Sequence, residues 1–337
     1  MMEPLEHLRM IRERASGIAP KGDLKRIRAL RFTDPGFDRG TWREMCGKRL
    51  LGLGARQFCD FAEELGADLV PEPLVPAAMA ARSLPPEHLS AIMTGDRIVL
   101  PAWQEQPGSL DLVGKTVLRD GKLDGHKRFI PMAAGADAFL VTVPGGLALV
   151  ERDSPGVTLQ VERTADGGHF GTLILDNAPA EAIEGDASDA LEFGIMAGSA
   201  YLLGLTDRAL RITLDYVKAR EQSRRRDSSF NALRPRVGDC EIQVSLTRSV
   251  VRAAAASLDR MQNSAERRAT ISRAKMRASD AAMVVTRTCV QLHGGLAHMD
   301  AHDIALFQQK AMVMAPLYGS PSAHRARIQG GAGENDG

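Results

Sequence analysis

The residues best suited to chemistry in this chain gather near its C-terminal end. Gln291-Leu292-His293-Gly294-Gly295 closes a long helical pattern and is followed by Asp300-Ala301-His302-Asp303. Adjacent glycines after a helix free the backbone for positive φ and let another molecule approach the main chain closely. The stretch therefore reads either as a helix C-cap or as a docking point for a nucleotide or a second subunit. The run Arg224-Arg225-Arg226, flanked by Glu221 and Asp227, reads either as a solvated turn or as a phosphate contact. His293 and His302 raise the question of a metal, but no third ligand stands at a recognisable spacing, and none is expected. Cys46, Cys59, Cys240 and Cys289 lack a CxxC spacing, so buried free thiols are expected and not a zinc site or disulfide framework.

The elements that must position these residues follow from composition and periodicity. The chain has 337 residues, enough for two or three domains. Its 43 basic and 42 acidic residues leave a net charge of +1, which gives no global drive toward nucleic acid or membrane. No apolar run reaches the roughly 18 residues of a membrane span, so a cytoplasmic protein without an export signal is expected. Aromatic residues make up only 4% of the chain, which favours helix packing over an all-β core.

Residues 1–93 read as an N-terminal helical domain, with helices at Leu5–Arg14, Thr41–Leu51, Gln57–Leu65 and Ala77–Ser83. Three prolines in Val70-Pro71-Glu72-Pro73-Leu74-Val75-Pro76 forbid helix just before the last of these. Residues 94–182 change to an alternating period with turn signals such as Asp120-Gly121 and Asp166-Gly167-Gly168. Six strands are expected there, at 97–100, 112–118, 139–143, 147–150, 157–161 and 171–175, forming a small antiparallel barrel or sandwich. Residues 183–329 return to helical spacing and predict an antiparallel four-helix bundle whose last helix, Asp303–Met314, stops before Pro316. The tail 330–337 is too polar and Gly-rich to order itself. The fold class is α+β, mainly helical.

That order of domains, and several stretches within it, resembles the acyl-CoA dehydrogenases over some 300 residues. Glu63-Glu64-Leu65-Gly66 is similar to the family's N-terminal domain. Gly125-His126-Lys127-Arg128-Phe129-Ile130 with Ala136-Asp137-Ala138-Phe139-Leu140-Val141 resembles the segment beside the flavin ring, and Glu151-Arg152-Asp153-Ser154-Pro155-Gly156-Val157 the strand end that follows. Arg220-Glu221-Gln222 resembles the opening of an Arg-x-x-Phe-Gly stretch, and Gln291 to Gly295 the flavin-adenine site contributed across a subunit interface. The resemblance implies α,β-desaturation of an acyl-CoA: a carboxylate removes the proton α to the thioester, FAD accepts the β-hydride, and donors polarise the carbonyl.

The chain departs from that pattern at instructive places. Tyr318 of Leu317-Tyr318-Gly319-Ser320 stands where many members carry the basic Glu, and a phenol of ordinary pKa about 10 is a poor base. Some members carry the Glu on the first bundle helix, where an alignment on Gly204 puts Gly194; Glu192, two residues away, reads as a solvated helix-face carboxylate or as a relocated base. Arg220 and Gln222 match positions near the pyrophosphate, but Ser223-Arg224 replaces Phe-Gly, and Asn231 replaces a frequent Gln. Phe129 can pack on a flavin, or serve as an ordinary core residue. Pro131 stands where a hydroxyl often donates to the ring and can donate nothing. Gln104, in a stretch similar to the family's Thr-Glu-Pro segment, reads as a flavin donor or a strand-end surface residue. Only Gly52-Leu53-Gly54-Ala55-Arg56 occupies a loop that is usually longer, and Pro235 implies a helix that begins late or is kinked.

Such a chain resembles most closely the short subunits of two-gene acyl-CoA dehydrogenases acting on steroid or polycyclic acyl-CoA esters. The expected partners are a longer homologous subunit that supplies the base and shares FAD, the acyl-CoA substrate, and an electron-transfer flavoprotein as acceptor. The alternatives are a homomeric dehydrogenase using Glu192, a flavin enzyme of other chemistry such as an oxygenase, and a flavin-free scaffold.

Overall fold

A computed structural model describes residues 24–223, 233–258, 265–298 and 302–332. The expected helix Leu5–Arg14, the run Arg224-Arg225-Arg226, Asn231 and the last five residues lie outside these ranges. The chain divides into two compact units, one holding Cys59–Val70 and everything from residue 196 onward, the other holding 24–58 and Pro71–Ile195.

The second unit is built from small helices and two sheets. Its helices are α1 (Lys25–Leu30), α2 (Arg39–Gly47), the start of α3 (Ala55–Ala67), α4 (Leu74–Ser83) and α5 (Leu89–Thr94). Asp38 caps α2 by accepting from Thr41 N at 2.6 Å, and that bond with its neighbours holds its carboxyl below the usual range. Trp42 is fully buried and donates from Nε1 to Gly95 O at 3.0 Å, which fixes α2 against the turn that ends α5. The expectation that the prolines forbid helix up to Pro76 is corrected: α4 begins at Leu74, with Pro76 as its third residue. A first-turn N–H has no intrahelical acceptor, so proline costs nothing there.

Eight strands form where six were expected. Sheet one has the order β1 (Val99–Ala102), β4 (Ala138–Val143), β5 (Gly146–Glu151), β8 (Glu181–Ile183), with β1 and β4 parallel and the other pairs antiparallel. Sheet two is antiparallel, in the order β2 (Val117–Arg119), β3 (Lys122–Pro131), β7 (His169–Pro179), β6 (Val157–Arg163). The unforeseen β3 has an interrupted alternation, because its register with β7 shifts between Leu123 and Gly125 and again between Lys127 and Ile130. An ion pair with its cation fully buried and its carboxylate half-buried underlies it: Lys127 Nζ donates to Glu105 Oε1 at 2.9 Å and to Thr142 Oγ1 at 3.1 Å. Burial alone would raise the Glu105 carboxyl, but donors from Lys115 N, Lys127 and Thr116 bring it down to about 2. Burial also pulls the Lys127 ammonium down, and Glu105 only partly offsets this. Lys127→Met is expected to leave that carboxylate short of its cation and to lower stability by about 2–3 kcal/mol, read as a fall in the denaturant midpoint.

The first unit is helical. α6 (Ser188–Ser223) enters it from residue 196, and α7 (Leu233–Leu258), α8 (Ala265–His293), α9 (Asp303–Met314) and α10 (Pro321–Ala332) follow. The fourth expected helix ends where it should, and α10 is an addition that packs on α8 beside α7 and α9. The buried stripe Ile271, Ala274, Ala278, Ala281, Val285, Leu292 of α8 is the one its spacing predicts. Pro235 lies in the first turn of α7, so that helix begins late and is not kinked by it. Where α3 crosses α6, Gly66 faces the carbonyl of Tyr201 and Gly204 faces the carbonyl of Glu63, each with no room for a methyl group. Arg248 of α7 holds the same region, donating to Asp207 at 2.8 Å with Glu63 at 3.8 Å. All four cysteines are buried free thiols, and burial pushes Cys46 and Cys289 up to about 12.

Candidate functional site

The first unit brings together the end of α6 and the end of α8. Arg220 and Gln291 are on the last turns of those helices, and Gly294 opens a short 3₁₀ turn, Gly294–His298, at φ +64°. Four residues before Arg220, Tyr216 accepts from its guanidinium at 3.1 Å. The Tyr216 ring stacks on His293, centroids 4.2 Å apart and 16° from parallel. Arg220 is half-buried, Gln291 and both glycines are exposed, and nothing among the described residues lies within 4 Å of where a side chain at Gly294 or Gly295 would begin. The side chain of Gln222 lies outside the described residues.

The hydrogen bonds here fix each proton. Thr213 Oγ1 donates to Ala209 O at 2.8 Å, so at 3.1 Å it can only accept from His293 Nε2. Burial, then His302, lowers the His293 pKa to about 4, so the ring is neutral and its Nδ1 accepts from His302 Nε2 at 3.3 Å. His302 Nδ1 in turn accepts from Ile304 N at the start of α9. Both nitrogens of each ring are therefore committed, and among the described residues no group of three or more His, Cys, Asp or Glu is arranged to hold a metal.

Tyr318 sits in a segment that two buried clasps hold from within the same unit. Lys275 donates to Met314 O at 3.3 Å, Ala315 O at 2.7 Å and Ser279 Oγ at 2.9 Å, and burial lowers its pKa to about 7. His324 donates from Nε2 to Tyr318 O at 3.0 Å, leaving Nδ1 to accept from Ser272 Oγ at 3.2 Å. Burial foremost, with Lys275 next, brings His324 to about 4. Tyr318 itself has φ +62°, is 2% exposed, and lies 2.9 Å from where Gly198 would carry a Cβ. Burial pushes its phenol above its ordinary value.

In the second unit, Phe129 stands in the bulge of β3 at φ +59°, a conformation rare for an aromatic residue and common where a side chain is re-aimed. It is half-buried, edge-on to Phe170 at 6.3 Å, with the Arg128 guanidinium 4.9 Å from its centroid. Pro131 ends the strand opposite Phe170. Gln104 is buried and donates from Nε2 to Ser109 O at 3.3 Å, and its backbone carbonyl accepts from Arg128 N at 2.7 Å, so it braces the bulge and is not a surface residue.

Glu192 corrects the reading as a solvated carboxylate: it is 1% exposed. Neighbouring residues in the first turns of α6 are covered too, with Met79 of α4 against Gly194, Phe58 4.9 Å from Phe193, and the Arg82 guanidinium 3.8 Å over the Phe193 ring. Helix periodicity near an N-terminus does not reveal which face a neighbouring helix covers. Tyr216, Thr213, Lys275 and His324 went unnoticed in the sequence; for Tyr216 the signal was there, as an aromatic four residues before an arginine.

Residues 186–332 match the acyl-CoA dehydrogenase C-terminal domain. Over 97% of this chain and 98% of the relative, the sequence is 28% identical to acyl-CoA dehydrogenase IpdE2 of Mycobacterium tuberculosis. It is 27% identical to acyl-CoA dehydrogenase FadE27 of the same organism, over 80% of this chain and 81% of that one. Among solved structures, the Tcur3481-Tcur3483 steroid ACAD superposes with a TM-score of 0.85 at 25% identity, covering 98% of both chains. The ChsE4-ChsE5 complex from Mycobacterium tuberculosis, at 22% identity, has the same fold, with a TM-score of 0.81 over 99% of this chain and 98% of that one. A matching C-terminal domain, relatives aligned almost end to end and a shared fold lead to one conclusion: residues 186–332 form an acyl-CoA dehydrogenase C-terminal domain, and the whole chain is similar to acyl-CoA dehydrogenases.

Proposed function

We propose that this chain is one subunit of a heteromeric, FAD-dependent acyl-CoA dehydrogenase that desaturates the α,β bond of a bulky, steroid-derived acyl-CoA, with the catalytic base on the companion chain. The observation that carries the reading is Tyr318. In the position aligned with the base, the chain holds a buried phenol whose pKa burial raises further, on a segment whose backbone carbonyls Lys275 and His324 hold. A group that holds its proton this firmly cannot take one from a thioester α-carbon. Two of the structures above pair two differently named chains, and one of those is called a steroid enzyme.

The residues present fit part of an FAD site. Arg220, half-buried and steadied by Tyr216, suits the pyrophosphate; Gln291 and the open backbone of Gly294 and Gly295 suit the adenine end. Gln222 and Asn231 join this set by alignment alone. In the other unit Phe129 offers an aromatic face that a flavin ring could pack on, and Pro131 beside it offers no donor; the reading leaves the remaining contacts to the companion chain. Bound FAD supplies the two-electron acceptor, and an electron-transfer flavoprotein is the acceptor that fits this chemistry. Among the described residues no helix is long and apolar enough to cross a membrane, and a cytoplasmic enzyme is the reading adopted.

The chain purified alone is expected to be colourless and inactive, and the complex with its companion yellow and active. Arg220→Ala in that complex is expected to weaken FAD retention roughly tenfold or more, the loss of one charge-assisted bond, measured by flavin absorbance after dialysis. Burial of Glu192 favours one rival reading, a self-sufficient enzyme with a relocated base. Full turnover by the isolated chain, abolished by Glu192→Gln, would decide for that rival. Absence of flavin in both preparations would leave a scaffold.

A further inference from the structure

Phe129 stands where an unbroken strand would not put it. Along a strand alternate residues face opposite sides, so Phe129 should share the buried side of Lys127. Instead Arg128 and Phe129 together stand opposite the single Thr172 of β7, between the pairs Lys127 with Leu173 and Ile130 with Gly171. The extra residue resets the alternation. Lys127 and Ile130 are buried, while Arg128 and Phe129 are both half-buried, with the Arg128 guanidinium over the Phe129 ring. An aromatic residue in the left-handed region, as Phe129 is, persists only where its surroundings enforce that conformation.

What enforces it is the segment that follows β1. Gln104 O accepts from Arg128 N at 2.7 Å, so this segment, and not β7, receives the N–H at the bulge. The neighbouring Lys127 ammonium has an acceptor for each of its protons: Glu105 Oε1 at 2.9 Å, Thr142 Oγ1 at 3.1 Å and Trp103 O at 3.4 Å. Glu105 is itself fixed, accepting from Lys115 N at 2.7 Å, from Thr116 N at 3.1 Å and from Thr116 Oγ1 at 2.8 Å. A Cβ at Gly114 would fall on its carboxyl. The pair thus ties residues 114–116, the end of β1 and the bulge into one block. Such a pair adds little stability over apolar side chains of the same size; what it gives is a defined geometry. We propose that Lys127 and Glu105 are positioning residues for Phe129: their pairing sets the direction in which the ring leaves β3, and through it the aromatic face offered to the flavin. The proposal rests on the FAD reading above, which assigns Phe129 to the ring end of the cofactor.

The test follows the ring first and the flavin second. The full chain is labelled with fluorophenylalanine at its ten Phe positions, and the Phe129 resonance is identified by its loss in Phe129→Leu. In the chain alone, Lys127→Met is expected to shift or broaden that resonance, while those of Phe61 and Phe307, buried in the other unit, stay in place. Thr142→Val, which removes one acceptor, should move it less, and Thr142→Ser should leave it as in the parent. In the complex with the companion chain, Lys127→Met and Glu105→Gln are expected to shift the flavin absorption band. Both should also lower kcat per bound flavin about tenfold or more with KM nearly unchanged, as misplacement of a positioned group does. A merely structural pair would lower the yield of folded protein and leave the band and the turnover of each bound flavin as they are. Should Lys127→Met fail to fold, Thr142→Val and Glu105→Gln carry the same test. A Phe129 resonance indifferent to these substitutions, in chains whose other resonances are intact, overturns the proposal. So does a flavin spectrum identical in parent and variants when the ring has moved. If the unsubstituted complex carries no flavin, the cofactor reading fails instead, and the response of the ring in the lone chain decides whether the pair positions it.

Discussion

Gly204→Ala is expected to cost at least about 3 kcal/mol and to leave much of the chain insoluble when expressed. At this position the Cβ would fall on the carbonyl of Glu63 in α3, and at Gly66, on the other side of the same crossing, on the carbonyl of Tyr201 in α6. The two helices touch backbone to backbone, each through the other's missing side chain. A clash with the far end of a flexible side chain is relieved by a rotamer change; one with a carbonyl oxygen is relieved only by moving a helix. The neighbours resist such movement, because Arg248 of α7 ties Asp207 and Glu63 together at that point. Gly66→Ala should behave alike, and the double substitution should cost little more than either alone, since the first already parts the helices. Urea midpoints of the three variants decide the matter. A substitution tolerated within about 1 kcal/mol would mean that the crossing is looser than the contact implies.

Acid should unfold the protein well above the range in which its carboxylates protonate. His293 and His324 are buried neutral, each with a folded pKa of about 4, and both hold their tautomer by donating from Nε2 while accepting at Nδ1. In the unfolded chain the same rings titrate near 6.5. The unfolded state therefore binds more protons throughout that interval. Stability is full above pH 6.5, falls by about 1.4 kcal/mol per pH unit per histidine as pH drops toward 4, and is unaffected by these groups below that. Two such rings remove several kcal/mol, comparable with the whole stability of an ordinary domain. His169, whose pKa burial and then Arg163 also lower, acts in the same direction. Melting temperatures between pH 7.5 and 4.5 should fall steeply, and His324→Gln should flatten the slope while lowering stability at pH 7.5. A slope unchanged by that substitution would exclude His324 as a contributor.

Spacing in the sequence is legible where one face of an element meets one environment. The stripe of α8 and the stop of α9 before Pro316 were readable for that reason, as was the change of period at the β region. β3 was not, because its bulge at Phe129 breaks the alternation that marks a strand. The short β8 and the helix α10 carry too few periodic residues to stand out. Arg220, Gln291 and Gly294 were singled out from sequence as candidates, and the structure brings them to neighbouring helix ends. What sequence could not supply is everything that depends on a third dimension: the stacking of Tyr216 on His293, the clasps of Lys275 and His324 behind Tyr318, and the burial of Glu192.

Gly295 separates two demands that most residues meet together. Its backbone is not in the left-handed region, and a methyl group there would meet none of the described residues within 4 Å. Among the described residues the single chain thus has room for a methyl group at this position, whereas a molecule laid against that turn does not. Gly295→Ala works as a proximity gauge: unchanged melting of the lone chain combined with a weakened complex would locate the second molecule within a methyl's breadth of the main chain, without a structure of the assembly.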